Sequence, residues 1–352
     1  LQGLRQARPD LAIHHHDGRR PQQAAALAAR CDAAVLVVGL DWRLEGEHIH
    51  PGDIAPILAQ VPPPAWLRRG PLWPAAEPLW RRFAGLLAWL TGFASARQGG
   101  DFAAGDRTDL RLPAAQLELI RRVAAANPRS VVVLMGGGAV LCRPWDQLVP
   151  ALLLLWYPGE QGGHALAELL FGAASPCGRL PFSLPADASQ LPSFEPRAER
   201  VRYDLWHGYR RLQQRGQTAA YPFGFGLSYT RFSHRDAVLT ERGEASQLEL
   251  SVAVGNTGAV AGAEVVQVYL EPPGQLLPRP PRSLVAFQRL TLAPGERRTL
   301  QLPIPLRQLA CFDAGRDAFV LEAGTHRLVV ARHADDPGLA VSVALEATVL
   351  GP

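Results

Sequence analysis

The residues with the clearest potential for chemistry follow the first strongly apolar run of the chain. Residues 41–50 combine carboxylates, imidazoles and an indole, namely Trp42, Glu45, Glu47, His48 and His50. A carboxyl group in such a loop could donate a proton to a leaving group, and the indole could form a platform for a sugar or an aryl group. A solvated acidic loop is the alternative interpretation of the same composition.

The elements around this loop are those of a parallel α/β sheet. Continuous apolar runs, typical of buried strands, alternate with segments whose apolar residues have helical spacing. Helices are predicted at 22–30, 112–127 and 163–171, and strands at 33–40, 130–135 and 151–156. In such sheets ligands bind outside the carboxyl ends of the strands. The loop at 41–50 therefore lies where a functional site is expected.

Two further regions depart from this alternation. Residues 51–100 contain four of the eight tryptophans and are interpreted as an insertion, with a helical cap favoured over a membrane-surface helix. After residue 229 the apolar period becomes two, which predicts strands at 248–254, 263–270, 299–304 and 327–331. Short strands at this spacing favour a β-sandwich of roughly 100 residues.

Other candidate sites have less support. The glycines at 136–138 lack the Lys and Ser or Thr of a phosphate-binding loop, and Gly224 and Gly226 lack the setting of a dinucleotide fingerprint. We interpret all of them as turn glycines. The histidines at 14–16 could bind a metal, but neighbouring histidines do not share one face, so a surface loop is favoured. Glu160 could approach a ligand, although a tight glycine turn feeding a helix is the favoured interpretation.

Composition restricts the class of protein. The chain has 352 residues, 47% of them hydrophobic and 19% charged, which indicates about two globular domains. All 36 basic residues are arginines and they are scattered, so the net charge of +4 argues against nucleic-acid binding. No apolar run reaches the ~18 residues of a membrane span, and the four cysteines are predicted to be buried thiols. Met135 is the single methionine, so residue 1 is not expected to be the gene's start and the compartment stays open.

Several short motifs, taken together, resemble those of a known protein family. The spacing of apolar residues alone would not show this resemblance. In the first part they are VVG at 37–39, GE at 46–47, GDR at 105–107, AANPR at 125–129, WYPGEQGG at 156–163, GRLPFSLP at 178–185 and YPFGFGLSYT at 221–230. In the second they are NTG at 256–258, GAEVVQVY at 262–269, LVAF at 284–287 and LAPGE at 292–296. The first series resembles the second domain of glycoside hydrolase family 3, of the β-glucosidase type. The second is similar to the fibronectin type III-like domain that often follows it.

The resemblance implies the architecture of the chain. Residues 1–232 are expected to form a mostly parallel α/β sandwich domain, with the Trp-rich helical insertion at about 51–100. An all-β fibronectin type III-like sandwich is expected over residues 233–352.

The resemblance also implies exo-acting, retaining hydrolysis by two carboxylates. An aspartate nucleophile is expected on a preceding (β/α)8 barrel, and a glutamate acid/base on the loop that this chain carries. In the family this glutamate stands in a Ser-Gly-Glu-Gly-aromatic context, and matching the glycine to Gly46 makes Glu47 the acid/base, with Glu45 as the fallback. Two carboxyl groups about 5 to 5.5 Å apart are needed, so neither part is expected to turn over alone.

Other residues of the loop take their roles from the same alignment. Trp42, His48 and Ile49 are expected to contact substrate, with Ile49 replacing the family's aromatic residue. Asp106 and Arg107 are expected to structure the loop, although the insertion separates them from Glu47. The implied substrate is a β-linked glucoside or oligosaccharide, and no metal or cofactor is expected.

The expected partner is a barrel domain of the same protein, because no barrel motif is found in this chain. A stand-alone or degenerate carbohydrate-binding or interaction module, without catalysis, is the alternative. A structural role for the sandwich, for example in a homodimer, is a further one.

Overall fold

The computed structural model describes residues 1–41, 44, 45, 80, 82, 107, 109–193, 195, 198–242, 247–274 and 277–351. The chain divides into two compact units. The first, here called the sheet unit, comprises Pro21–Gly138 and Pro150–Tyr157. The second, here called the sandwich unit, comprises Leu1–Arg20, Ala139–Val149 and Pro158–Pro352. The predicted insertion at 51–100 lies almost wholly outside the described residues.

The sheet unit contains a parallel sheet of three strands. They are β1 (Ala34–Gly39), β2 (Ser130–Met135) and β3 (Ala151–Leu154), in the order β1-β2-β3. The predicted parallel α/β class is thereby confirmed. The central strand β2 is largely buried, as expected of a strand between two neighbours.

Strand β1 differs from the prediction that it is buried on both faces. Leu36 and Val38 point into the core, whereas Val35 and Val37 are 41% and 54% exposed. The physical reason is that successive side chains of a strand point to opposite faces, and one face of β1 is not covered. The apolar run therefore predicts this strand correctly, but it predicts more burial than the strand has.

Two helices pack against each other in the same unit, α2 (Pro21–Ala28) and α3 (Ala114–Ala126). Helix α3 ends where Asn127 becomes extended, directly before Pro128, since a proline disfavours helical backbone in the residue before it. The buried Asn127 amide donates to the carbonyl oxygens of Ala28 and Cys31, at 2.9 and 2.8 Å. These bonds satisfy carbonyls at the end of α2 and fix the two helix ends together.

The carboxyl end of β1 has a backbone geometry that glycine alone tolerates well. Gly39 has a φ of 142°, and a Cβ there would lie 1.9 Å from the carbonyl oxygen of Met135. The Gln116 amide bonds both backbone groups of Gly39, with Oε1 2.8 Å from its N–H and Nε2 2.7 Å from its carbonyl. Strand β1 thus leaves the sheet in one fixed direction.

The sandwich unit contains the remaining described helices and all antiparallel strands. Helix α1 (Gln2–Ala7) packs on α4 (Gly162–Leu170), and a Cβ at Gly3 would lie 2.3 Å from the carbonyl oxygen of Gly163. Two further helices are α5 (Gly208–Gln214) and α6 (Leu306–Leu309). Close approach of α1 and α4 therefore depends on a residue without a side chain.

The antiparallel strands form three sheets. The strands are β4 (Phe232–Arg242), β5 (Gln247–Asn256), β6 (Gly262–Glu271), β7 (Ser283–Leu292), β8 (Arg297–Pro305), β9 (Cys311–Asp313), β10 (Ala318–Leu321), β11 (Gly324–Ala331), β12 (Leu339–Leu345) and β13 (Thr348–Leu350). Their orders are β12-β11-β6-β7, β4-β5-β8 and β13-β10-β9. Inward-facing residues of the two larger sheets share one apolar core, which confirms the predicted β-sandwich class.

Within the sandwich unit, the motif at 221–230 lies directly on strand β6. The buried Gln267 amide donates to the carbonyls of Gly224 and Arg332, at 3.0 and 2.7 Å, and accepts from the Tyr269 hydroxyl at 2.6 Å. Gly224 has a φ of 81°, and a Cβ there would lie 2.0 Å from the Gln267 amide oxygen. The glycines of this motif thus allow a backbone approach to the sandwich, beyond the turn role that the sequence predicted.

We predict that Gly39→Ala lowers the free energy of unfolding by about 2 kcal/mol or more, because the new Cβ is strained in φ and collides with a backbone carbonyl. Urea unfolding measures the change. Gly178→Ala is the matched control, since nothing lies within 4 Å of its Cβ position. Equal stabilities of the two variants would contradict the role assigned to Gly39.

Candidate functional site

The chain after β1 turns back sharply to the carboxyl edge of the sheet. The Leu40 N–H donates to the Met135 carbonyl at 2.9 Å, which extends the contact between β1 and β2 by one residue. The N–H groups of Leu44 and Glu45 both donate to the Asp41 carbonyl, at 3.0 and 2.9 Å. This turn fixes the backbone of Glu45 against the sheet edge.

The Glu45 carboxylate is bound by three donors from different parts of the sheet unit. The Arg107 guanidinium lies 2.8 Å from Oε1, and the Gly137 N–H donates to Oε2 at 2.7 Å. The Tyr157 hydroxyl also donates to Oε2. The side chains of Glu45 and Arg107 are only 17% and 12% exposed, so solvent screens this ion pair less than a surface pair. One carboxylate thus joins the ends of β2 and β3 to the segment that contains Arg107.

Two of the three glycines after β2 leave room for this arrangement. A Cβ at Gly137 would lie 2.9 Å from a ring carbon of Tyr157, and one at Gly138 would lie 2.9 Å from the Arg107 guanidinium. A Cβ at Gly136 would lie 3.6 Å from Oε2 of Glu45. The sequence identified these residues as turn glycines, and it did not indicate that they line a carboxylate site.

Tyr157 is a site residue that the sequence did not single out. It follows Trp156, whose φ of 56° is unusual for a bulky side chain. Partial burial of the phenol, with the hydrogen bond to the negative Glu45 carboxylate, raises the pKa of Tyr157 above its ordinary value. The hydroxyl therefore keeps its proton near neutral pH and acts as a donor. The usable signal was its position after the third predicted strand.

Most of the predicted site residues cannot be placed. Glu47, Trp42, His48, Ile49 and Asp106 lie outside the described residues. Of the predicted set, the structure describes Glu45 and Arg107, and it joins them in the ion pair.

The other sequence candidates do not form a site in the described part of the chain. Glu160 is exposed in the turn before α4. His16 accepts a hydrogen bond from the Gly18 N–H at 3.0 Å, as in a local turn. No cluster of metal-ligating side chains and no helix able to cross a membrane is found among the residues described. All four cysteines are free thiols.

A parallel α/β sheet with a carboxylate bound at its carboxyl edge, followed by a β-sandwich, defines the class of the protein. The family model of the Glycosyl hydrolase family 3 C-terminal domain matches residues 1–229, and that of the Fibronectin type III-like domain matches residues 264–334. The first match covers more than half of the chain, so the chain belongs to glycosyl hydrolase family 3. This confirms the resemblance drawn from the motifs, whereas the domain boundary at 232/233 stays a prediction.

Similar proteins and structures are named as β-glucosidases. A "Beta-glucosidase" of Rhizobium radiobacter is 43% identical over 251 residues, which are 68% of this chain and 30% of that protein. The structure of the Kluyveromyces marxianus β-glucosidase in complex with glucose matches 96% of this chain and 35% of its own, with a TM-score of 0.73 and 28% identity. That of the Bifidobacterium adolescentis family 3 β-glucosidase matches 96% and 42%, with a TM-score of 0.72 and 26% identity. The chain spans about 30% of the length of the curated relatives it matches.

We predict that Arg107→Gln destabilises the protein by about 1 to 3 kcal/mol, because a largely buried carboxylate loses its cation. The free energy of unfolding in urea measures the loss. Arg111→Gln is the control, since the Arg111–Asp109 pair is 66% and 48% exposed and should contribute below about 1 kcal/mol. A loss as large in the control variant would show that the burial of the Glu45–Arg107 pair has no special weight.

Proposed function

We propose that this chain is the C-terminal part of a retaining, exo-acting β-glucosidase-like glycoside hydrolase. It supplies the general acid/base glutamate, and the aspartate nucleophile lies on a (β/α)8 barrel of the same protein. The substrate class is a β-linked glucoside or a short oligosaccharide. Membership of the family and the names of the similar proteins support the reaction class.

The carboxylate at the carboxyl edge of the sheet is the observation that carries the proposal. Ligands of parallel α/β sheets bind at this edge, and the Glu45 carboxylate is bound there from three sides. A catalytic group must be held in a fixed position to react efficiently. The contacts of Glu45 satisfy this requirement within the chain itself.

We choose Glu45 as the acid/base in preference to Glu47, which was the first choice from the sequence motif. The same glycine, Gly46, separates the two residues, so a family Glu-Gly pair can equally be matched to Glu45 and Gly46. The ordered contacts of Glu45 support this second alignment. In it Arg107, from the Gly-Asp-Arg motif, contacts the acid/base directly across the insertion.

The reaction requires Glu45 in two protonation states. In the first step it carries a proton and transfers it to the glycosidic oxygen as the aspartate attacks the anomeric carbon. In the second step it is ionised and takes a proton from the water that releases the sugar. Arg107, the Gly137 N–H and the Tyr157 hydroxyl stabilise the ionised state, which suits the second step.

The coding DNA upstream of residue 1 gives the first test of the barrel. We expect about 300 to 400 codons in frame, which is room for a (β/α)8 barrel. A start codon directly before Leu1 would remove the hydrolase proposal for this chain. A carbohydrate-binding module would then be tested by calorimetry with glucose and cello-oligosaccharides.

Matched glutamine variants at the two glutamates test the catalytic residue in the enzyme expressed with that upstream region. We predict that Glu45→Gln slows aryl glucosides with poor leaving groups about 100-fold or more, because these need general acid catalysis. Dinitrophenyl glucoside, whose leaving group needs no proton, should be affected much less in its first step. Values of kcat/KM across a leaving-group series measure the difference.

Glu47→Gln is the control and should leave the leaving-group dependence unchanged. The opposite result, with the steep dependence in Glu47→Gln alone, would transfer the role to Glu47. A flat dependence in both variants would remove the acid/base from this loop altogether.

A further inference from the structure

The two oxygens of the Glu45 carboxylate have different surroundings. Oε2 accepts two hydrogen bonds, from the Gly137 N–H at 2.7 Å and from the Tyr157 hydroxyl. Oε1 has one donor in the described part of the chain, the Arg107 guanidinium at 2.8 Å. A carboxylate oxygen has about two favourable acceptor positions. Among the described residues, Oε2 therefore has both acceptor positions occupied, while Oε1 has one occupied.

We propose that Tyr157 is a positioning residue for Glu45: with the Gly137 N–H it fills Oε2 and leaves Oε1 as the oxygen that transfers the proton. The proposal rests on Glu45 being the acid/base. The geometry of the hydrogen bonds stands independently of that role.

The backbone conformation just before Tyr157 supports its proposed positioning role. The Leu155 N–H still donates to the Leu134 carbonyl at 2.9 Å, so β3 keeps its contact with β2 up to this residue. The chain then passes through Trp156 in the left-handed region, with a φ of 56°. Such a conformation is unfavourable for a residue with a side chain, and it persists where the surrounding structure requires it. Trp156 lies between the end of β3 and Tyr157, so this conformation sets the direction in which the chain enters Tyr157.

The ring of Tyr157 also lies in space that a side chain at residue 137 would fill. A Cβ at Gly137 would lie 2.9 Å from the ring, so the same glycine that donates its N–H to Oε2 leaves space for the phenol. The hydroxyl remains a donor because its pKa is raised by partial burial and by the Glu45 charge. The charged and titratable groups that the structure shows at this carboxylate are Arg107 and Tyr157.

The hydrogen bond is testable in the 352-residue chain, without any catalytic assay. We expect Glu45→Gln to lower the pKa of Tyr157 toward its ordinary value, because the negative acceptor that raises it is removed. The Cζ resonance of ¹³C-labelled tyrosine, assigned with Tyr157→Phe, follows this titration. Glu160→Gln, which neutralises an exposed glutamate, is the control and should leave the titration unchanged. An unaltered Tyr157 titration in Glu45→Gln would overturn the proposal.

The positioning role is tested in the enzyme that carries the upstream region. Tyr157→Phe keeps the ring and removes the hydroxyl, so we expect a loss of about 10- to 100-fold in kcat for substrates with poor leaving groups. The KM should change little, because the hydroxyl positions Glu45 and is not proposed to bind the substrate.

Tyr229→Phe is the matched control for this experiment. Tyr229 is 51% exposed, against 52% for Tyr157, and its hydroxyl donates to a backbone carbonyl, that of Leu169. It should leave kcat, KM and the leaving-group dependence unchanged.

The outcomes separate this inference from the proposed function. If Glu45→Gln slows poor leaving groups but Tyr157→Phe does not, Glu45 keeps its role and the positioning role of Tyr157 is overturned. If the Tyr157 titration responds to Glu45→Gln but neither variant alters the leaving-group dependence, the hydrogen bond exists and the catalytic assignment fails.

Discussion

In the described part of the sheet unit, three separate segments of the chain contact one carboxylate, that of Glu45. Glu45 receives a guanidinium from Arg107, an amide from the loop after β2 and a phenol from the segment after β3. These groups are far apart along the chain, so each contact depends on the folded sheet unit. A charged group that is mostly buried is tolerated when it is paired and hydrogen-bonded. The need to satisfy this single charge therefore constrains three loops at once.

The backbone conformations around the carboxylate are the cost of bringing these loops together. Gly39 adopts a positive φ and lies against the Met135 carbonyl, and Trp156 adopts a left-handed conformation with a bulky side chain. Both residues stand at or just beyond the carboxyl end of a strand. Gln116 offsets part of this cost, because its amide bonds both backbone groups of Gly39. Within the described part of the sheet unit, both residues with positive φ therefore stand at the sheet edge where function is proposed, and strained backbone is common at functional sites.

The sequence predicted the elements better than the contacts between them. The apolar run at 130–135 is β2 with the same bounds, and the helix predicted at 112–127 is α3 at Ala114–Ala126. The strands β4, β7, β9, β10, β12 and β13 were not predicted. Arg107 was expected to structure the loop, but the contacts of Glu45 with Gly137 and Tyr157 were not predicted. The hydrogen bond to Tyr157 spans 112 residues and depends on the backbone turn at Trp156. A tryptophan gives no signal of a left-handed conformation, whereas a glycine would have done so. Local periodicity therefore indicated the sheet edge where the candidate site is proposed, whereas the contacts of Glu45 could be seen only in the tertiary structure.

The charge around Glu45 explains why this site would need a second part. Within the chain, one cation and two neutral donors surround the carboxylate, and all three favour its ionised form. In its proposed role as general acid Glu45 must also be protonated, and a retaining glycosidase places a second carboxylate about 5 to 5.5 Å away, whose negative charge would favour that form. When the nucleophile becomes esterified its charge disappears, and Arg107 and the two donors then dominate. The contacts of Glu45 thus fit the second step, in which the carboxylate is ionised. The charge of the nucleophile proposed on the barrel would favour the protonated form that the first step needs.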